Sequence, residues 1–187
     1  MPTFDPVRAF RKLAYNNALA NHRLLQACAA LKPGEFEAPR TSFFPSIKAT
    51  LNHILTVDWF YVDGLEGGTL GLKAFETDEP FGDISSLAEA QAKVDRRLTA
   101  LCEALTPERL VSTASLHRGA RIQEERLDDV LGHLFQHQTH HRGQVHAMLS
   151  GTSVAPPQLN EFIVADDARF RGRELAELGW SEKKLMR

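Results

Sequence analysis

The sequence predicts an all-α protein, a four-helix bundle with a crossover connection. Three observations carry this expectation. Four long stretches repeat apolar side chains at helical spacing. Pro33-Gly34, Gly67-Gly68 and Pro156-Pro157 punctuate the chain between and after them. Strand-like patterning is confined to one short stretch ahead of the fourth helix.

The first helix is expected to start after Asp5, with Pro6 in its first turn, and to run to about Leu31. Its apolar positions include Val7, Phe10, Leu13, Ala14, Leu24, Leu25 and Cys28. A loop with Pro39 and Ser42-Phe43-Phe44-Pro45 follows, and the second helix runs from about Ser46 to Leu65. Glycines between Gly67 and Asp83 mark an irregular connection. The third helix spans roughly Ser86 to Leu105, its buried stripe being Leu87, Ala90, Val94, Leu98, Leu101 and Leu105. Residues Leu110–Leu116 and Arg121–Glu125, flanking His117-Arg118-Gly119-Ala120, read as a short hairpin inserted before the fourth helix. That helix covers about Leu127 to Leu149, and a short C-terminal helix follows near Asp166–Leu178. The long second and third connections leave room for the crossover. No repeat or linker divides the 187 residues, so a single domain over 1–187 is expected.

Composition narrows the function classes. Hydrophobic residues at 43% and charged residues at 25% are those of an ordinary globular chain. The net charge of −2 and the lack of a basic stripe give duplex nucleic acid no electrostatic footing. No apolar run reaches the ~20 residues of a membrane span. Met1-Pro2-Thr3-Phe4-Asp5 lacks the regions of a signal peptide. Cys28 and Cys102 are far apart, each in an expected helix, and read as buried reduced thiols. A cytoplasmic location is the expectation.

The compositional anomaly is histidine. Of 8 histidines, five lie between His133 and His146. His137 and His141 form an H-x-x-x-H pair, which places both imidazoles on one helix face. His53 shares its face with Val57, Phe60 and Tyr61, where a polar group needs a partner. Taken alone, such a histidine is more often a satisfied core residue, and H-x-x-x-H alone is a weak signal. Bundle cores nevertheless build metal sites from facing helices, and three imidazoles leave a coordination position open. His133 continues the ladder at i−4 as a candidate fourth ligand, with a solvated edge residue as the simpler reading. His140 lies toward the solvent boundary and His146 points away. Asn21, Asn52, Tyr61 and Gln144 are candidates to orient a ligand histidine, Asp58 is expected at the surface or in a cap, and Arg142 in a structural ion pair. The sequence lacks H-E-x-x-H, C-x-x-C, phosphate-binding loops and a nucleophile elbow.

At these residues the chain resembles the DinB family, within the DinB/YfiT-like metalloenzymes. Ser42-Phe43-Phe44-Pro45-Ser46-Ile47, Thr50-Leu51-Asn52-His53-Ile54-Leu55 and Asp58 resemble its second helix. His137-Gln138-Thr139-His140-His141-Arg142-Gly143-Gln144-Val145-His146 resembles its fourth-helix motif more closely. Asn17, Ala20, Asn21 and Leu24-Leu25 fit its first helix, while Asn16 and Leu19 stand where the family often has Tyr and Trp. The resemblance covers most of the chain up to Pro157. It implies a four-helix bundle, often a homodimer, holding a divalent metal ion, nickel or zinc most often, on His53, His137 and His141. It also implies a small-molecule substrate and, as in some relatives, a low-molecular-weight thiol, hence thiol S-transferase-like or hydrolase-like chemistry. A non-enzymatic metal-binding stress-response protein is the alternative, and nothing resembles a polymerase.

Overall fold

A computed structural model describes residues 5–187. Met1–Phe4, most of the stretch read for a leader, lie outside the described residues. Four long helices dominate: α1 (Arg8–Ala29), α2 (Ile47–Leu65), α3 (Ile84–Glu103) and, after a four-residue α4 (Pro107–Leu110) and a hairpin, α5 (Leu127–Leu149). The helix ends follow local chemistry. Ser46 caps α2 by accepting from the Ala49 N–H at 3.0 Å, Asp83 caps α3 through Ser86, and Thr106 caps α4 ahead of Pro107.

The packing order confirms the crossover. Both α1 and α2 pack against α3 and α5. The sequential pair α1 and α2 therefore sits on one diagonal of the bundle, and α3 and α5 on the other. The core between them is aliphatic, with Leu24, Ile54, Leu55, Leu87, Leu98, Leu131, Leu134 and Val145 at 2% exposure or less. Burial of this apolar surface is the main force holding the bundle. Cys28 and Cys102 are free and buried, as expected.

The hairpin pairs β1 (Thr113–Arg118) with β2 (Arg121–Arg126) in antiparallel register. Gly119, with φ of 70°, and Ala120 make a two-residue turn with positive φ at its first position only, the type II′ signature. The hairpin rests on a 3-10 helix at Gly71–Phe75. There Gly71 has φ of 53°, and a Cβ would stand 2.6 Å from the His117 carbonyl oxygen, so only glycine allows this approach.

Beyond α5 the chain differs from the single short helix expected near Asp166–Leu178. It forms a 3-10 helix (Ala165–Phe170), α6 (Gly172–Glu177) and α7 (Glu182–Leu185). Phe162, Leu175 and Leu185 pack on Tyr15, Leu19 and Ala20 of α1. Arg23 binds Glu161 at 2.8 Å and Glu174 at 2.5 Å. Tertiary anchoring, not helix propensity, fixes these short pieces. Among the described residues, no helix is long and apolar enough to cross a membrane.

Candidate metal centre

The two helices that share no chain neighbour bring the three predicted histidines together. His53 of α2 and His137 and His141 of α5 each offer a ring nitrogen, all within 4.8 Å of one another. His53 Nε2 and His137 Nε2 are 3.0 Å apart. Two nitrogens about 2.0–2.1 Å from one ion, subtending about 90° to the tetrahedral angle, stand roughly 2.9–3.4 Å apart, so the His53–His137 pair is spaced to share one transition-metal ion. His141 is pinned from behind: its Nδ1 lies 2.8 Å from Gln144 Oε1, one turn along α5. The amide oxygen only accepts, so Nδ1 carries the proton and Nε2 presents its lone pair to the site. His137 Nδ1 is buried and makes no hydrogen bond among the described residues.

The environment keeps these rings neutral. Burial, helped by His141, lowers His53 to about 4. Burial, then His141 and His53, lowers His137 to about 3. Burial also lowers His141, against an opposing contribution from Gln144. Neutral imidazole is the ligating form.

Phe44, from the loop before α2, closes one side. Its ring lies 4.3 Å from His53 at an interplanar angle of 32° and 5.5 Å from His141. The loop is held by Arg40, whose N–H donates to the Pro45 carbonyl at 2.7 Å and whose guanidinium donates to the Gly151 and Glu35 carbonyls, both at 3.2 Å. Beside His53 opens a cavity of about 330 Å³, walled by Phe44, Ala49 and Phe75, with Thr56, Asp78 and Glu79 among its polar residues.

The other candidates divide. His133 is exposed, and its ring lies 6.2 Å from that of His137, outside the three-histidine group. His140 is exposed, and its Nε2 accepts from Gln144 Nε2, 3.1 Å away. His146, expected at the surface, is half-buried with Nε2 3.0 Å from the Pro157 carbonyl oxygen, because the chain after α5 folds back over it. Of the four residues expected to orient a ligand, Gln144 alone touches a histidine of the group. Asn52 is fully buried and ties the loop before α3, donating to the Phe81 carbonyl and accepting from its N–H, both at 2.9 Å. Tyr61 contacts His133 and Arg118.

Asp58 corrects the expectation of a surface or capping role. It is 1% exposed. Five residues turn it roughly 140° from His53, and on this helix that direction also faces the core, because α2 is buried on both sides. Its Oδ2 accepts from Gln91 at 2.7 Å and from Gln138. Asp95 accepts from Gln91 at 3.2 Å and from Asn21 at 3.0 and 3.1 Å. Arg142 was expected in an ion pair. Instead its guanidinium donates to the amide oxygens of Asn17, Asn21 (3.0 Å) and Gln138 (3.1 Å). The network joins α1, α2, α3 and α5. Burial raises Asp58 to about 7, with Asp95 adding to the shift, raises Asp95 to about 6, and lowers Arg142 to about 10.

Sequence reasoning did not assign Phe44, Phe75 or Thr56 to the site. The one available signal was the Phe43-Phe44 pair in an otherwise polar loop directly before a capped helix.

Comparisons with known proteins agree with this arrangement. The crystal structure of a DinB-like protein, YjoA, from Bacillus subtilis superposes with a TM-score of 0.53 at 16% identity, covering 79% of this chain and 92% of that one, which shows a shared fold. No curated protein sequence matches the chain. The family model described as DinB family matches residues 3–173, so the chain belongs to the DinB family.

Proposed function

We propose that His53, His137 and His141 hold a divalent metal ion, nickel or zinc, and that the protein is a metal-dependent enzyme with thiol S-transferase-like or hydrolase-like activity. The observation that carries this reading is the convergence of three neutral imidazole nitrogens within 4.8 Å beside an open cavity. Structural zinc sites are closed by four protein ligands, whereas catalytic ones keep a position for water or substrate. Three donors, one of which, His53, lines a 330 Å³ cavity, favour the catalytic kind over a purely metal-storing or stress-response protein.

When bound, such an ion supplies Lewis acidity and lowers the pKa of a coordinated water or thiol. The chain's own residues do the rest. Gln144 holds the His141 tautomer. Phe44, packed on His53, and Phe75, across the cavity lining, offer an apolar surface to a substrate. Asp58 belongs to the core network and faces away from the reacting position. Among the described residues no carboxylate joins the three-histidine group, which suits a small molecule activated by the ion itself, such as a low-molecular-weight thiol. The proposal extends to a homodimer, as the family resemblance implies, and to a cytoplasmic setting, which two buried free thiols suit.

The test is a titration of metal-free protein with nickel and zinc, followed by a screen of thiol transfer and ester or amide hydrolysis. One ion per chain, lost in His53→Ala, together with turnover that the same change removes, supports the reading. Binding without any turnover leaves the metal-storing alternative, and no binding overturns both.

A further inference from the structure

The seam of ring contacts between α2 and α5 continues past the three histidines. The helices run antiparallel, so His53 meets His137 and His141 while Tyr61 meets His133. The His133 ring lies 5.1 Å from the Tyr61 ring, on the side of His137 away from Phe44. Here the hairpin makes its contribution. Arg118, the last residue of β1, donates from Nη2 to the Tyr61 hydroxyl at 3.3 Å. Its guanidinium lies 4.4 Å over the Phe60 ring, and its Nε donates to Gln123 Oε1 at 3.1 Å.

Both hydrogen-bonding partners of Arg118 are neutral, and it takes part in no ion pair among the described residues. Tyr61, having accepted from Arg118, keeps its own O–H to donate, and His133 offers a ring N–H. A fixed positive charge and two further donors therefore lie together at this end of the seam. The cavity beside His53 instead carries Asp78 and Glu79, with Glu79 occupied by Lys48 at 2.7 Å. Negative charge is therefore favoured beside Arg118 and disfavoured beside Asp78.

We propose that Arg118, Tyr61 and His133 form a subsite for the carboxylate of a substrate or cosubstrate whose reacting end lies at His53, His137 and His141. The inference rests on the metal-site reading given above. Helical rise sets the span. His133 is one turn, about 6 Å, from His137, and Tyr61 is eight residues, about 12 Å, from His53. The ligand class is thus an extended molecule with its carboxylate several bonds from the metal-seeking atom, not a compact one. Planar guanidinium suits a carboxylate, and the tyrosine and histidine donors add to it.

The experiment uses the full chain loaded with cobalt(II) and follows the thiolate-to-cobalt absorption band. The probes are 6-mercaptohexanoate and 6-mercaptohexan-1-ol, alike in thiol and length and different in terminal charge. The carboxylate is expected to bind about tenfold tighter. Arg118→Gln is expected to bring the two affinities together, with binding of the alcohol and of cobalt unchanged. Arg118→Lys, which keeps the charge, retains part of the preference, and Tyr61→Phe, which keeps the ring, loses part of it. The short 3-mercaptopropionate is expected to be indifferent to Arg118→Gln. Equal affinities in the unmodified protein, or a preference that survives Arg118→Gln, overturn the subsite. Absence of the band with every thiol overturns it too, and cobalt binding measured without thiol then decides the metal reading separately.

Discussion

His141 and Gln144 are joined by a 2.8 Å hydrogen bond between Nδ1 and the amide oxygen, within one turn of α5. The bond fixes which nitrogen of His141 faces His53 and His137. Supporting bonds of this kind are worth about 10–100-fold in metal affinity. Gln144→Ala is expected to weaken ion binding by that order, measured by competition with a chelator of known affinity. Gln144→Glu, which keeps an acceptor at the same reach, is expected to retain most of the affinity.

Removing one donor should have a larger effect. His53→Ala leaves two imidazoles on one helix and nothing from α2, so ion binding is expected to fall below detection in the titration that saturates the unmodified protein. Because binding to the folded state alone stabilises it, by about 4 kcal/mol at a thousandfold excess over Kd, EDTA is expected to lower the melting temperature of the loaded protein. In His53→Ala, a melting temperature indifferent to EDTA is the expected outcome.

Acidity acts on the metal-free protein in a defined window. The folded pKa values of His53 and His137 lie below the ordinary 6.5, at about 4 and about 3. Protons therefore favour the unfolded chain, and this part of the stability, whole above pH 6.5, is lost progressively as the pH falls toward those values. Asp58 and Asp95, raised to about 7 and about 6, act with the opposite sign and gain stability as the pH falls toward 3.8. The two effects separate in His137→Ala. Its urea midpoint, relative to the unmodified protein, is expected to improve between pH 7 and pH 4. For the same reason the folded site resists proton competition, and ion binding is expected to persist at pH 5, where a free imidazole is mostly protonated.

The buried network gives a graded pair of substitutions. Asp58→Ala leaves the Gln91 and Gln138 amides without their shared acceptor, and each buried unpaired donor costs about 1–3 kcal/mol. Asp58→Asn keeps an oxygen of similar shape and removes a charge that burial already opposes. Urea unfolding is expected to rank the unmodified protein and Asp58→Asn well above Asp58→Ala.

Gly71→Ala tests the seating of the hairpin. The new Cβ would meet the His117 carbonyl oxygen at 2.6 Å in a backbone conformation that disfavours side chains. A loss of about 1–3 kcal/mol is expected in chemical unfolding, with faster amide exchange across β1.

The site was legible where its chemistry lies on one helix. The four-residue spacing of His137 and His141 fixes a shared face whatever the tertiary structure. His53 was legible because a titratable ring stood on an otherwise apolar face. Asp58 and Arg142 were not, for a common reason. Periodicity separates inside from outside only when a helix has one wet face. On α2, residues pointing in nearly every direction are buried, and on α5, Gln138 and Arg142 turn one residue past the histidines into the core. The four long helices followed from their apolar spacing, and α5 matched its expected bounds. The short α4, α6 and α7 carry too few residues to show a period and owe their shape to capping and docking. Phe44 and Arg118 reach α2 from segments between the long helices, and proximity of that kind arises only from the assembled fold.

The diagonal placement of α1 and α2 has a consequence for the order of assembly. The donors come from Leu127–Leu149 and from a helix that precedes it by more than sixty positions, with the whole of α3 and the hairpin between. A polypeptide emerging from the ribosome presents a solitary imidazole from α2 until its last long helix has docked. On the metal-site reading, ion uptake by a refolding chain is therefore expected to mark the end of folding rather than its beginning.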